Sequence, residues 1–175
     1  AAISTDAIKL ALENNIEIQF LDEFGGSIGK VWHPKLGSTT YIRRRQLEIA
    51  STKEGTELVK ELMITKAENM IQHLYDLSTK RNQEKQDYLT EKIYEIESLK
   101  NKLSKVTGQV EDVRFSLMGY EGNMSRVYFG CLSYLLPDRY KFEGRSFRPA
   151  KDEFNCLLNY GYGVLYGKVE KALII

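Results

Sequence analysis

The stretch Tyr120-Glu121-Gly122-Asn123-Met124-Ser125-Arg126 lies inside an apolar run. Around it, Val110, Val113, Leu117, Met118, Met124, Val127, Tyr128, Cys131, Leu132 and Leu135 recur mostly at three- and four-residue steps, the spacing of one helical face. The segment reads as a buried helix that Pro137 ends. One carboxylate breaks the pattern. Glu121 follows Leu117 by four residues and precedes Met124 by three, so it points as they do. A lone ionised carboxylate on that face is costly unless a cation or a strong donor compensates it. Two readings stay open from the residues alone. One is a structural ion pair, with Arg126 or an arginine elsewhere. The other is a ligand for a hard metal ion, because carboxylate oxygens suit Mg²⁺ or Mn²⁺.

Helical periodicity also governs the chain upstream, from about Thr40. Leu47, Leu58, Leu62, Met70, Leu74 and Leu77 form an apolar stripe, with Ser51 and Glu54 as a capping box and Gly55 as a bend or break. Residues 80–83 are a polar turn. Leu89, Ile93, Ile96, Leu99, Leu103 and Val106 then make a narrow stripe suited to an antiparallel partner helix, and Gly108 terminates it. Downstream, residues 138–150 lack periodicity and read as a loop. A last helix starts near Asp152. Its Gly161, Gly163 and Gly167 predict close approach of another backbone.

The first residues differ. Ser4 or Thr5 caps a short helix that runs to about Glu13 and stops at Asn14-Asn15. Ile16, Ile18 and Phe20 alternate with Glu17 and Gln19, which is a half-buried strand. A turn at residues 24–27 leads to a second strand from Ile28 to Trp32, ended by Pro34. Two strands alone are marginal and leave open edges. The expected fold is therefore mainly α: residues 1–36 as the remnant of an N-terminal β domain (two strands plus a short helix), and residues 37–175 as a partial, all-helical C-terminal domain. The chain opens on Ala-Ala-Ile without a signal peptide and closes on an apolar helical run without a terminator. Both ends are expected to be truncated, and the open edges predict self-association.

Composition decides little by itself. The net charge is +1, yet four basic residues and no acid lie between Lys35 and Arg45, and five basic residues face two acids between Asp138 and Lys151. Such clusters suit phosphates or are simply solvated faces. Cys131 and Cys156 lack the spacing of a zinc site and read as buried free thiols. His33 and His73 have no acidic or histidine neighbour at i+4 to make a metal pair. No apolar run reaches the roughly 18 residues of a membrane span.

The stretch Glu121 to Arg126 resembles the glutamate motif of the CRISPR-associated spacer-acquisition endonuclease/integrase family, the first of the Cas proteins ("Cas-one"). Further segments match in order: Ile3-Ser4-Thr5-Asp6-Ala7 with Phe20-Leu21-Asp22, Leu36-Gly37-Ser38 through Arg43-Arg44-Arg45-Gln46-Leu47, then Phe147-Arg148-Pro149-Ala150-Lys151-Asp152-Glu153-Phe154-Asn155 and Leu165-Tyr166-Gly167. Together they span essentially the whole chain.

The resemblance implies a cytoplasmic, metal-dependent DNA enzyme of CRISPR adaptation. Its partners would be double-stranded spacer and repeat DNA, a second copy of itself, and a smaller "Cas-two" protein. It implies Glu121 as a catalytic residue and ligand of Mg²⁺ or Mn²⁺, with a His and an Asp ligand lying beyond Ile175. Arg145, Arg148, Lys151, Arg126, Arg43 and Arg44 are the expected DNA contacts. Tyr166 is either core or a neighbour of the active centre. The chain alone is expected to be inactive. The competing reading is a non-catalytic helical interaction module in which Glu121 is only ion-paired.

Overall fold

The computed structural model describes residues 2–23, 27–32, 39–147 and 149–174. His33, Pro34, Leu36, Gly37, Ser38 and Arg148, together with the turn at residues 24–26, lie outside the described residues. The fold is mostly helical, with one two-stranded sheet. The elements are α1 (Thr5–Glu13), β1 (Ile18–Leu21), β2 (Ser27–Val31), α2 (Thr39–Ile49), α3 (Lys53–Ser78), α4 (Gln83–Ser104), α5 (Val110–Leu135), a 3₁₀ turn (Asp138–Tyr140) and α6 (Glu153–Ile174). They gather into two compact units, residues 44–144 and residues 1–43 with 145–175. No helix among the described residues is long and apolar enough to cross a membrane.

The unit of residues 44–144 is built on α3, α4 and α5. Leu89, Ile93, Ile96 and Leu103 of α4 bury one continuous face against Ala67, Ile71 and Leu74 of α3 and Val113, Leu117, Met124 and Cys131 of α5. Cross-helix pairs of constant offset, Lys66 with Glu121 and His73 with Tyr128, show that α3 and α5 run parallel, with α4 returning between them. The expected stripe is buried only in its second half. Met70 and Leu74 are buried, whereas Leu58 and Leu62, and Leu47 on α2, are exposed, and Thr56, Lys60 and Ala67 are buried in addition.

Helix starts and stops follow local chemistry. The α2–α3 break falls at residues 50–52, where Thr52 rather than Ser51 caps α3: its Oγ1 accepts from Gly55 N at 3.2 Å and donates to Ile49 O at 2.9 Å. Gly55 lies in the first turn of α3, just after the break. A Cβ there would overlap the Ile49 carbonyl and press on Val110, so glycine permits the close approach. Gly108, at φ +144°, turns the chain between α4 and α5, and its carbonyl accepts from the buried Thr56 hydroxyl at 2.9 Å. Leu136, before Pro137, is extended, as a residue preceding proline must be. The segment beyond it is tied down: Ser133 Oγ donates to Phe142 O at 2.7 Å and accepts from Phe142 N at 3.0 Å.

In the other unit, Ser4 Oγ caps α1 through Ala7 N. Asn15, at φ 54°, ends the helix, with Asn15 N donating to Leu12 O and Ile16 N to Ala11 O. That termination uses Ile16, so β1 begins two residues later than the alternation predicts. β1 pairs antiparallel with β2, Ile18 opposite Val31, with an irregularity after Phe20. The hairpin meets α6 through side chains. Gln19 Nε2 donates to Gly163 O at 3.3 Å, and Lys30 Nζ lies 2.7 Å from Glu170 Oε2, an ion-pair distance without hydrogen-bond geometry. Two of the α6 glycines, Gly161 and Gly167, differ from the expected backbone contact. Gly167 makes room for the Gln19 side chain, and Gly161 borders open space.

Candidate active site

Glu121 sits on the α5 face toward α3, at the edge of the core. Its neighbours Leu117 and Met124 are buried, whereas its own side chain keeps 34% of its exposure. Among the described residues, its partner is a lysine and not Arg126 or another arginine. Lys66 of α3, 43% exposed, donates from Nζ to Glu121 Oε1, and Ser125, one turn along α5, donates to the same oxygen at 2.9 Å. Lys66 Nζ also reaches Ser125 Oγ at 3.4 Å. Partial burial pushes the Glu121 carboxyl upward, but the Lys66 bond and charge and the Ser125 bond outweigh it and hold the group below its ordinary value. The carboxylate is thus ionised at neutral pH. Two donors fix Oε1, and Oε2 takes no hydrogen bond among the described residues. Seven residues along the same groove, His73 Nδ1 lies 2.7 Å from the Tyr128 hydroxyl.

Arg126 faces outward and donates to Asn123 Oδ1 at 3.0 Å. Among the described residues, no group of three or more His, Cys, Asp or Glu side chains is placed to hold a metal ion. One carboxylate with a lysine against it does not hold a divalent ion by itself. It can contribute one oxygen to a site completed by other ligands, or it can remain an ion pair.

The other sequence-selected residues fall into two groups. Arg43 is exposed on α2, and its neighbours Arg44 and Arg45 both bond Glu48 at 2.7 Å, so the triple run does not form one basic face. Arg145 and Lys151 flank α6. The Arg145 guanidinium carbon lies 5.2 Å from the Tyr162 ring centre and 5.9 Å from that of Phe147, and Tyr162 stacks on Tyr166 at 5.6 Å. Tyr166 is exposed, which removes the core alternative for it. Cys131 is buried, but Cys156 is exposed on α6.

Sequence reasoning missed Lys66, Ser125, Asn155 and Asn159. Ser125 was within reach, because a hydroxyl at i+4 from a carboxylate shares its face. Lys66 lies 55 residues away on another helix, and nothing local singles it out from the other lysines. Asn155 and Asn159 are buried polar residues of α6 whose spacing of four places them on one face.

A family model described as CRISPR associated protein Cas1 matches residues 1–175. A CRISPR-associated endonuclease Cas1 from Archaeoglobus fulgidus is 38% identical, over 99% of this chain and 53% of its own length. The chain spans about half the length of the curated relatives it matches over its whole extent. Among solved structures, a Cas6-RT-Cas1–Cas2 complex matches with a TM-score of 0.70 and 26% identity, over 94% of this chain and 17% of that one. A casposase bound to its integration product shares the fold, with a TM-score of 0.69 and 23% identity over 99% of this chain and 46% of that one.

Proposed function

Because this chain belongs to the CRISPR-associated Cas1 family, we propose that its parent protein is a metal-dependent DNA endonuclease and integrase of spacer acquisition. Glu121 would be one ligand of its Mg²⁺ or Mn²⁺. The observation that carries this reading is the geometry of Glu121: an ionised carboxylate in the family-matched stretch, bonded through Oε1, with Oε2 taking no hydrogen bond among the described residues. Bound there, a divalent ion would neutralise charge developing on a phosphodiester and orient the attacking oxygen. The residues of this chain have other tasks. Ser125 sets the rotation of the carboxylate, and Lys66 keeps it charged. Arg145, Arg148 and Lys151 would contact a DNA backbone, with Arg126, Arg43 and Arg44 as further candidates, and Tyr166 would be a neighbour of the active centre.

Since the described residues do not complete a metal site, the His and Asp ligands would come from the parent beyond Ile175, and residues 1–175 alone would be inactive. The domain boundary proposed for the whole protein lies at residues 36/37, so that the contacts of Gln19 and Lys30 with α6 are made across it. The proposed partners are double-stranded spacer and repeat DNA, a second copy of the protein, and a Cas2 protein; the similarity to a complex containing Cas2 supports the last. Exposed Leu157, Val164, Leu165 and Leu173 on α6 support self-association. A cytoplasmic location is part of the same proposal.

The second reading is a helical interaction module in which Lys66 and Glu121 form only a structural pair. The pair itself favours it. Metal-dependent cleavage assays on residues 1–175 and on the full-length protein separate the two. The proposal expects cleavage by the full-length protein only. Robust cleavage by residues 1–175, abolished by Glu121→Ala, would overturn the incomplete-site argument, and no cleavage by either would favour the interaction module.

A further inference from the structure

Arg145, Ser146 and Phe147 are held against α6 by hydrogen bonds to two asparagines. Asn155 is fully buried and Asn159 is 2% exposed. Asn155 Oδ1 accepts from Ser146 N at 3.0 Å and from Arg145 Nη1 at 3.2 Å, while its Nδ2 donates to Asp152 Oδ2 at 2.8 Å. Asn159 Nδ2 donates to two successive carbonyls, Phe147 O at 2.9 Å and Ser146 O at 3.3 Å. Ser146 closes the turn by accepting from Lys151 N at 3.0 Å through Oγ. Asp152 Oδ1 accepts from Asn155 N at 2.8 Å, which ties the same network to the start of α6.

A carboxamide is the side chain this site requires. It must accept from a guanidinium and a backbone N–H on one side and donate to a carboxylate on the other. An apolar residue at position 155 would leave the Ser146 amide, and one at 159 the Phe147 carbonyl, without its partner at a half-buried site. The Arg145 guanidinium is anchored through Nη1, which donates to Asn155 Oδ1 and also to Ser146 O at 2.8 Å, and it lies over the Tyr162 ring, which limits the directions in which it can present its remaining donors.

We infer that Asn155 and Asn159 are positioning residues. They fix the backbone of the Arg145–Phe147 stretch and aim Arg145 at the DNA phosphates. The inference rests on the DNA-binding reading above but goes further. It assigns the orientation of the basic segment to two buried amides that touch no DNA.

The test uses the full-length protein. Duplex-DNA affinity is measured against salt, and amide exchange is followed at Ser146, Phe147 and Lys151, for Asn155→Ala, Asn159→Ala, Arg145→Gln and the double variant Arg145→Gln/Asn155→Ala. Asn159→Ala removes only the two carbonyl bonds and keeps the test open if Asn155→Ala does not fold. Asn155→Ala and Asn159→Ala are expected to speed exchange of those amides. Asn155→Ala should weaken binding about ten-fold and make the salt slope shallower by about one counterion, as Arg145→Gln does. The double variant should be no weaker than Arg145→Gln alone, because both changes remove one contact. Unchanged exchange in Asn159→Ala overturns the clamp. Faster exchange with wild-type binding by Arg145→Gln overturns the proposal through the DNA reading instead. Additive losses in the double variant overturn the claim that Asn155 acts through Arg145.

Discussion

The α3–α4–α5 bundle and α6 are both made of long helices, but different forces hold them. In the bundle, Ile93 is 1% exposed and lies within a cluster of eleven buried residues shared by three helices. On α6, the buried residues Asn155 and Asn159 are polar, while Leu157 is 75% exposed. One region is stabilised by apolar area removed from water. The other is tied to its neighbours by individual hydrogen bonds and leaves Leu157, Val164 and Leu165 outside. Truncating an apolar side chain should therefore matter in the bundle and hardly at all at the exposed positions of α6.

The sharpest break of that contrast is truncation. Ile93→Ala is expected to cost about 2–5 kcal/mol in urea unfolding, and Leu157→Ala less than about 0.5 kcal/mol. Equal costs would mean that α6 has an apolar partner within the folded chain. Adding a methyl group sharpens the same point. Gly55→Ala must displace the Ile49 carbonyl and should cost roughly 1–3 kcal/mol. Gly161→Ala enters open space and should stabilise by up to about 1 kcal/mol through helix propensity. A destabilised Gly161→Ala variant would restore the close-packing reading of the α6 glycines.

The polar seam of the bundle gives a smaller effect with a defined sign. The carboxyl of Glu121 titrates below its ordinary value in the folded protein, so its pairing with Lys66 stabilises above the ordinary carboxylate range and is lost as pH falls through the lowered folded value. Lys66→Met should cost about 0.2–1 kcal/mol at neutral pH for so exposed a pair. Its stability curve should merge with that of the wild type in acid, and a constant difference at all pH values would assign the loss to packing. The thiols report the contrast without a stability cost. Burial pushes Cys131 up to about 11, so it should react slowly with an aromatic disulfide at pH 8, while exposed Cys156 reacts quickly. Two fast thiols would mean that the bundle opens readily.

What could be read in advance follows the same division. The α4 stripe was legible because one face meets two partners, and Leu89, Ile93, Ile96 and Leu103 are all buried. The α3 stripe was legible only in part. Met70 and Leu74 are buried as the stripe requires, but nearer the N-terminus the buried positions are Thr56 and Lys60, so Leu58 and Leu62 marked the wrong side. Met118 on α5 is exposed for a related reason: it follows Leu117 directly and cannot share its face. Glu121 could be singled out because a carboxylate beside Leu117 and Met124 is unusual, but its lysine partner depends on the parallel docking of α3 on α5, which no local pattern encodes.

The most direct measurement is single-turnover DNA cleavage and strand transfer by the full-length Glu121→Gln protein with Mg²⁺ or Mn²⁺, alongside its DNA affinity and melting temperature. Glutamine keeps the shape and the bond from Ser125 but removes the charge that an ion would require. The expected result is a loss of at least about a hundred-fold in rate, with DNA affinity and melting temperature nearly unchanged. Wild-type rates in that variant would contradict the account and leave Glu121 as the structural partner of Lys66.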